Sequence, residues 1–158
     1  MIPKNLKDVV YVGCQLLLFL VYILWNQPIL SIQLPEFSSY IAWFFIIFSA
    51  GLFSLALWNI RYSLSPYPTP KQHAELQTNG AFAFSRHPIY SSIFIGLLAW
   101  GVLQENINQV IIAIVLLIFF YIKASYEESL LKEKFEAFKN YQKTTGMLFP
   151  RLVSIKST

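Results

Sequence analysis

Two long stretches without a charged residue constrain this chain more than any other feature of its sequence. The first runs from Val9 to Trp25 and the second from Tyr40 to Ile60. A helix needs roughly 20 mainly apolar residues to cross the hydrocarbon core of a bilayer, so both stretches predict transmembrane helices. Two shorter apolar runs, residues 89–103 and 110–122, are separated by six mostly polar residues. They predict a tight helical hairpin.

Together these runs predict an all-α integral membrane protein that forms a single domain over residues 1–158. The composition agrees, because 56% of the residues are hydrophobic and only 13% are charged, whereas about a quarter is usual in soluble domains. With flanking residues included, we expect four spans at about 9–27, 40–61, 88–104 and 108–126. A loop is expected at 62–87, and an amphipathic C-terminal helix at 127–143, where Leu131, Phe135 and Phe138 recur at helical spacing.

The basic residues indicate how the chain is oriented. All twelve Lys and Arg residues lie before the first span, between the second and third, or from Lys123 onward. Four spans place these regions on one side of the membrane, and the positive-inside rule makes that side cytoplasmic. We therefore expect both termini in the cytoplasm, most simply at a prokaryotic inner membrane. The net charge of +4 then reflects topology and indicates no nucleic-acid partner.

Cysteine and metal chemistry are set aside at this stage. Cys14 is the single cysteine of the chain, so an internal disulfide is excluded, and no Cys and His cluster with zinc-binding spacing is present. We expect no metal site.

A short basic motif, Arg86-His87-Pro88, precedes the third span. Proline disfavours helical geometry in the residue before it and suits the first position of a helix, so His87 is the expected N-cap. The backbone amides of Ile89 and Tyr90 would then be free to bind a carboxylate or phosphate. The guanidinium of Arg86 would stand beside them as a planar anion-binding group.

Two adjacent carboxylates, Glu127 and Glu128, follow the fourth span at the same expected depth. Acidic groups at a membrane edge are costly without partners. In one interpretation, Arg86 and Lys123 neutralise them as structural salt bridges. In the other, the site is a binding pocket with both an anion-binding and a cation-binding side, as a zwitterionic ligand such as an amino acid requires.

The order of these elements resembles the isoprenylcysteine carboxyl methyltransferases and their phospholipid methyltransferase relatives. These are small membrane enzymes that use S-adenosylmethionine. The resemblance covers about residues 66–150. Its elements are a proline-rich approach, Leu-x-Thr-x-Gly at residues 76–80, Arg-His-Pro-Ile-Tyr at 86–90, Glu127-Glu128 with Leu131, and finally Phe135, Tyr141 and Leu-Phe-Pro at 148–150.

The resemblance implies an S-adenosylmethionine-dependent methyltransferase with Arg86 and Glu128 as catalytic residues. The implied cofactor-binding residues are Gly80, Phe82, Arg86, His87, Pro88, Tyr90, Glu127, Glu128 and Tyr141. The implied acceptor is a lipophilic small molecule, a prenylated group or a membrane lipid. Carboxyl O-methylation of an isoprenylcysteine is the closest implied reaction, and N-methylation of phosphatidylethanolamine is the alternative. A non-enzymatic membrane scaffold subunit stays open as a different class.

Overall fold

The computed structural model describes residues 6–29, 33–61, 65–70 and 75–151. Over these ranges the chain folds into helices without a β-strand. The helices are α1 (Leu6–Leu24), α2 (Phe37–Ile60), α3 (Ala81–Phe84), α4 (Pro88–Leu103), α5 (Ile107–Lys134) and α6 (Phe138–Thr144). Of the basic residues counted above, Lys4, Lys71 and Lys156 lie outside the described residues, as do residues 62–64 and 71–74 of the expected loop.

The four long helices pack in an order that differs from their order in the chain. α4 packs against both α2 and α5, and α1 packs against α5. The core between α1 and α5 is centred on Tyr22, Leu116 and Phe120. The Tyr22 hydroxyl also donates a hydrogen bond of 2.6 Å to the carbonyl oxygen of Leu97. This bond joins α1 to α4.

The predicted all-α membrane fold is confirmed. Three helices, α1, α2 and α5, are long and apolar enough to cross a membrane. The third expected span is the shorter helix α4, whose 16 residues rise about 24 Å at the spacing of an α-helix. That is less than the roughly 30 Å of a hydrocarbon core, and α4 packs between α2 and α5.

The longest helix, α5, ends later than the sequence suggested. The sequence predicted a separate amphipathic helix at 127–143, and the helix break before residue 127 is wrong; the end of the fourth span near residue 126 stays a prediction. α5 runs unbroken from Ile107 to Lys134, because neither Gly nor Pro interrupts it. The chain turns at Phe135, which is extended, and resumes as the short helix α6.

The turn between α4 and α5 matches the expected hairpin. Asn106 caps α5, and its side-chain oxygen accepts hydrogen bonds from the amides of Asn108 and Gln109 at 3.0 and 3.4 Å. The Asn106 side chain also donates to the carbonyl of Asn26 at 2.8 Å, and Glu105 accepts from the amide of Leu34 at 3.1 Å. The turn is thereby tied to the connection between α1 and α2 at one end of the bundle.

Candidate functional site

At the other end of the bundle, the Arg-His-Pro segment is held by the chain that follows α6. The amide of Arg86 donates to the carbonyl of Gly146 at 2.9 Å, and the amide of His87 donates to that of Met147 at 3.0 Å. The hydroxyl of Ser91, one turn into α4, donates to the carbonyl of Leu148. Two elements of the resemblance that are far apart in the sequence, residues 86–90 and 148–150, are therefore brought together by these hydrogen bonds.

His87 is the N-cap of α4 and Pro88 is its first residue, as predicted. The carbonyl of His87 accepts hydrogen bonds from the amides of Tyr90 at 3.1 Å and Ser91 at 3.2 Å. The expectation that the Tyr90 amide is free to bind an anion is therefore wrong, because the first turn of α4 uses this amide itself.

Arg86 and Glu128 form a buried ion pair through two parallel contacts. Arg86 Nε lies 2.7 Å from Glu128 Oε1, and Arg86 Nη2 lies 3.2 Å from Glu128 Oε2. Arg86 Nη1 donates to the carbonyls of Gln142, at 3.2 Å, and Thr145. The Arg86 guanidinium, which the sequence assigned to an anionic ligand, thus contacts the protein's own groups. For Arg86 and Glu128, this is the structural salt bridge of the first interpretation.

His87 lies between the two adjacent carboxylates. Its Nδ1 is 3.3 Å from Glu127 Oε2, and its Nε2 is 3.3 Å from Glu128 Oε1. Burial lowers the pKa of the imidazole, but the two carboxylates outweigh it and raise the His87 pKa above its ordinary value. His87 is therefore favoured as an imidazolium that balances the second negative charge of the pair.

Tyr90 extends this cluster toward the bundle core. Its hydroxyl donates a hydrogen bond of 2.5 Å to Glu127 Oε1. Its ring stacks on that of His87, with centroids 5.5 Å apart, and on that of Phe120, with centroids 4.8 Å apart. The aromatic stack fixes the orientation of the His87 ring between its two carboxylates.

A cavity of about 400 Å³ opens beside this cluster. It is bounded by the proline-rich segment 65–70, the start of α4, and side chains from α1, α2, α5 and α6. Seven of the nine residues implied to bind the cofactor lie on its wall: Phe82, Arg86, His87, Pro88, Tyr90, Glu127 and Tyr141. The structure brings these residues together, and their role in cofactor binding stays a prediction.

Glu128 and Gly80 are the two implied residues that are absent from the cavity wall. The Glu128 side chain is only 2% exposed, and its Oε2 also accepts a hydrogen bond of 2.7 Å from Gln142 Nε2. Glu128 therefore holds Arg86 and Gln142 rather than facing the cavity. Gly80 has a φ of +63° and packs so closely on Asn59 that a Cβ would lie 2.4 Å from Asn59 Oδ1. The positive φ and the close contact with Asn59 explain why a glycine stands at this position, without a role in ligand binding.

Phe82 and Tyr141 form the side of the cavity where α3 meets α6. The hydroxyl of Tyr141 donates a hydrogen bond of 2.5 Å to the carbonyl of Phe82. Burial raises the pKa of the Tyr141 hydroxyl well above its ordinary range, so this group stays protonated as a donor. Residues 127–143 were expected to form one helix. In the structure, Tyr141 reaches the site from the separate short helix α6.

Three polar groups at this end of the bundle, Lys123, Gln15 and Asp8, were given no place in the site by the sequence analysis. Lys123 had been considered only as a salt-bridge partner, yet it lines the cavity, and its Nζ donates to Gln15 Oε1 at 2.7 Å and to the carbonyl of Pro66 at 3.3 Å. Asp8 is fully buried and accepts a hydrogen bond of 2.9 Å from the hydroxyl of Thr69. Gln15 carries the one side-chain amide in the uncharged run of α1. This isolated polar residue is the signal that could have identified Gln15 as part of the site.

Comparison with protein families matches residues 37–137 to the phospholipid methyltransferase family. The chain belongs to the phospholipid methyltransferase family. The match covers helices α2 to α5 in full and the turn at Phe135, so it includes Arg86, His87 and both carboxylates. Helix α1, which supplies Gln15 and Asp8, precedes the matched residues.

Two curated proteins are similar to this member of the phospholipid methyltransferase family. One is the nickel-cobalt-cadmium resistance protein NccN of Alcaligenes xylosoxydans xylosoxydans, which is 30% identical over 92 residues, covering 58% of this chain and 43% of its own length. The other is the cobalt-zinc-cadmium resistance protein CzcN of Cupriavidus metallidurans, 24% identical over 109 residues, covering 68% of this chain and 50% of its own length. The chain spans about half the length of the curated relatives it matches.

Proposed function

We propose that this chain is an S-adenosylmethionine-dependent methyltransferase that acts on a lipophilic acceptor at the end of the helical bundle. The observation that carries the proposal is the cavity of about 400 Å³, whose wall joins Glu127, His87 and Lys123 to a set of aromatic and proline side chains. Small-molecule sites occupy about 300–1,000 Å³ and combine apolar walls with a few convergent polar groups. Membership of the phospholipid methyltransferase family supports the same reaction class.

The residues on the cavity wall fit the chemistry of this cofactor. Glu127 retains 16% side-chain exposure and would accept hydrogen bonds from the cofactor's ammonium group or ribose hydroxyls. The rings of Phe82, Phe138 and Tyr141 line the cavity where α3 meets α6 and would cover the adenine. Arg86 would act indirectly, because its contacts with Glu128 hold the loop that carries His87.

When bound, S-adenosylmethionine supplies a methyl group activated by its sulfonium. The chain's own residues then have two tasks, which are to align the acceptor and to exclude water. The segment Pro66-Tyr67-Pro68 lies on the cavity wall and would shield it. A carboxylate acceptor requires no general base, whereas an amine acceptor must first be neutral. Glu127 would accept the amine proton, because His87 is favoured in its protonated form.

The acceptor's apolar portion would bind against the apolar side chains of the cavity. Among these are Phe53, Leu57 and Ile60 of α2 and Ile93 of α4, which suit a prenyl or acyl chain. Carboxyl O-methylation of a prenylated cysteine and N-methylation of phosphatidylethanolamine both fit this wall. The description of the family as phospholipid methyltransferases favours testing both acceptors side by side.

A non-enzymatic scaffold is the candidate from a different class, and the closed Arg86–Glu128 pair is the observation that favours it.

The deciding experiment supplies purified protein in detergent with S-adenosylmethionine carrying a labelled methyl group. N-acetyl-S-farnesylcysteine and phosphatidylethanolamine serve as separate acceptors. Label in a base-labile product indicates an ester, and label in a base-stable lipid indicates N-methylation. No transfer to either acceptor, from protein shown to be folded, would favour the scaffold.

The membrane orientation is part of the same proposal. The start of α1, the proline-rich segment and the region of α6 meet at one end of the bundle, through the Asp8–Thr69 and Lys123–Pro66 hydrogen bonds and the Arg86 cluster. We place this end in the cytoplasm, most simply at a prokaryotic inner membrane, because the basic residues gather there. Labelling of single-cysteine variants at Lys7 and at Glu105 with a membrane-impermeant maleimide would test it, with Lys7 accessible only from the cytoplasmic side.

A further inference from the structure

Lys123 is a cation buried in the apolar part of the protein. Its side chain lies on α5, one helical turn before Glu127, and the residue is only 2% exposed. Ionisable side chains inside a membrane protein are costly, and they commonly mark a site of function or a structural partner. The nature of the groups around Lys123 distinguishes these two cases.

The groups that the Lys123 ammonium contacts directly are neutral acceptors, while the carboxylates of Glu127 and Asp8 attract it from farther away. Its ammonium donates to Gln15 Oε1 at 2.7 Å and to the carbonyl of Pro66 at 3.3 Å, and it lies 5.2 Å from the ring centroid of Tyr90. No described carboxylate lies within 4.0 Å of it, since the ion pairs of the cluster are formed by Arg86 and His87. An ammonium has three donors, so one N–H remains after these two hydrogen bonds.

The surroundings also orient the Lys123 side chain. Gln15 comes from α1 and Pro66 from the proline-rich segment, so acceptors from two different elements hold the ammonium at the cavity wall. A lysine that served only to neutralise the acidic pair would contact a carboxylate directly. Here Arg86 and His87 make those direct contacts, and Lys123 is attracted to Glu127 and Asp8 only at longer range.

We propose that Lys123 is an anion-binding residue of the cavity, positioned by Gln15, and that it receives a carboxylate of a bound ligand. This inference rests on the proposed function for the identity of the ligands. The carboxylate has two possible sources, namely the amino-acid part of S-adenosylmethionine and an acidic acceptor. Either would give this buried ammonium a direct ion pair, which no described carboxylate forms with it, and a charge-assisted hydrogen bond of this kind typically changes affinity by about 10- to 100-fold.

The test measures binding of two pairs of probes by calorimetry on detergent-purified protein. The first pair is S-adenosylhomocysteine and 5′-methylthioadenosine, which lacks the amino-acid part. The second pair is N-acetyl-S-farnesylcysteine and its uncharged carboxamide. The variants are Lys123→Gln, which keeps a hydrogen-bond donor but removes the charge, Lys123→Arg, which keeps the charge, and Gln15→Leu. Lys132→Met, an exposed lysine on the same helix, is the matched control.

Lys123→Gln is expected to weaken binding of the acidic member of one pair by about 10- to 100-fold while leaving its neutral partner within a factor of two or so. Lys123→Arg should retain part of that affinity, Gln15→Leu should give an intermediate loss, and Lys132→Met should show none. The pair that responds identifies the source of the carboxylate. Equal effects of Lys123→Gln on the acidic and neutral members of both pairs would overturn the proposal.

The two proposals fail in different ways. Wild-type protein that binds neither nucleoside contradicts the proposed cofactor, and the farnesylcysteine pair then still decides on Lys123. Wild-type protein that binds none of the four probes contradicts both proposals. Helical circular dichroism and gel filtration of each variant establish that a loss of binding is not a loss of fold. If Lys123→Gln fails this check, the comparison of Lys123→Arg and Gln15→Leu with wild type decides, and unchanged affinity for both acidic probes overturns the proposal.

Discussion

Arg86 and Glu128 meet through two parallel hydrogen bonds of 2.7 and 3.2 Å, with their side chains only 7% and 2% exposed. The pair joins the loop before α4 to the end of α5. Gln142 of α6 also donates to Glu128 at 2.7 Å, so three elements depend on one carboxylate. Arg86 therefore has a structural role, because its ion pair with Glu128 holds these elements together.

Replacing one member of this pair is expected to destabilise the protein strongly. Removing either partner of a buried ion pair leaves the other charge uncompensated, which costs about 3–5 kcal/mol. Arg86→Leu and Glu128→Leu should each lower the free energy of unfolding by about this amount, measured by denaturant titration in detergent. The double variant should lose clearly less than the sum of the two. Strictly additive losses would contradict a direct coupling of the two charges.

His87 makes the stability of this end of the protein depend on pH. Burial alone would lower its folded-state pKa, but the hydrogen bonds and charges of Glu127 and Glu128 outweigh burial and raise this pKa above the ordinary value of about 6.5. The contribution of the imidazolium is therefore fully present below pH 6.5 or so, and it is lost as the pH rises through the raised pKa. The free energy of unfolding of the wild type should fall over that range, and that of His87→Gln should fall less.

Nuclear magnetic resonance of ¹⁵N-labelled histidine provides the direct check of that pKa. The chain has two histidines, so the signals of His87 are identified as those that vanish in His87→Gln. A titration midpoint of His87 at or below its ordinary value would contradict the position of the ring between two ionised carboxylates.

Gly80 is expected to tolerate no side chain. Its φ of +63° is unfavourable for other residues, and a Cβ would lie 2.4 Å from Asn59 Oδ1, the atom that also accepts a hydrogen bond from the amide of Ala81 at 3.0 Å. Gly80→Ala should therefore cost about 1–3 kcal/mol of stability, measured by thermal unfolding in detergent. Gly13→Ala in α1 is the matched control, because a Cβ there meets no atom within 4 Å. Equal stabilities of the two variants would contradict the placement of the loop before α3.

The helical membrane fold could be predicted from sequence because it depends on local properties. Length and apolarity define α1 and α2, and the polar turn defines the α4–α5 hairpin. The helix boundary was placed wrongly at residue 127 because hydropathy falls there while helix propensity does not. A membrane boundary and a helix boundary are different physical events, and α5 continues through the first to end at Lys134.

The site could be predicted only in part. Spacing and resemblance brought Arg86, His87, Tyr90 and Glu127 to one place, because each lies at the end of a predictable helix. The occupants of the Arg86 fork could not be read from sequence, since the carbonyls of Gln142 and Thr145 approach it through the fold of α6. Gln15 is 108 residues from Lys123 in the chain, and their contact depends on α1 packing against α5.

Equilibrium binding of S-adenosylhomocysteine to Glu127→Gln and wild-type protein, by calorimetry in detergent, tests the central claim most directly. Glu127 is the carboxylate on the cavity wall that contacts His87 and Tyr90, and Glu133→Gln, an exposed position on the same helix, is the control. The wild type and Glu133→Gln should bind equally, and Glu127→Gln should bind about 10-fold more weakly, with helical content unchanged. Absence of binding to folded wild-type protein, or equal affinity in all three proteins, would contradict the assignment of this cavity as the cofactor site.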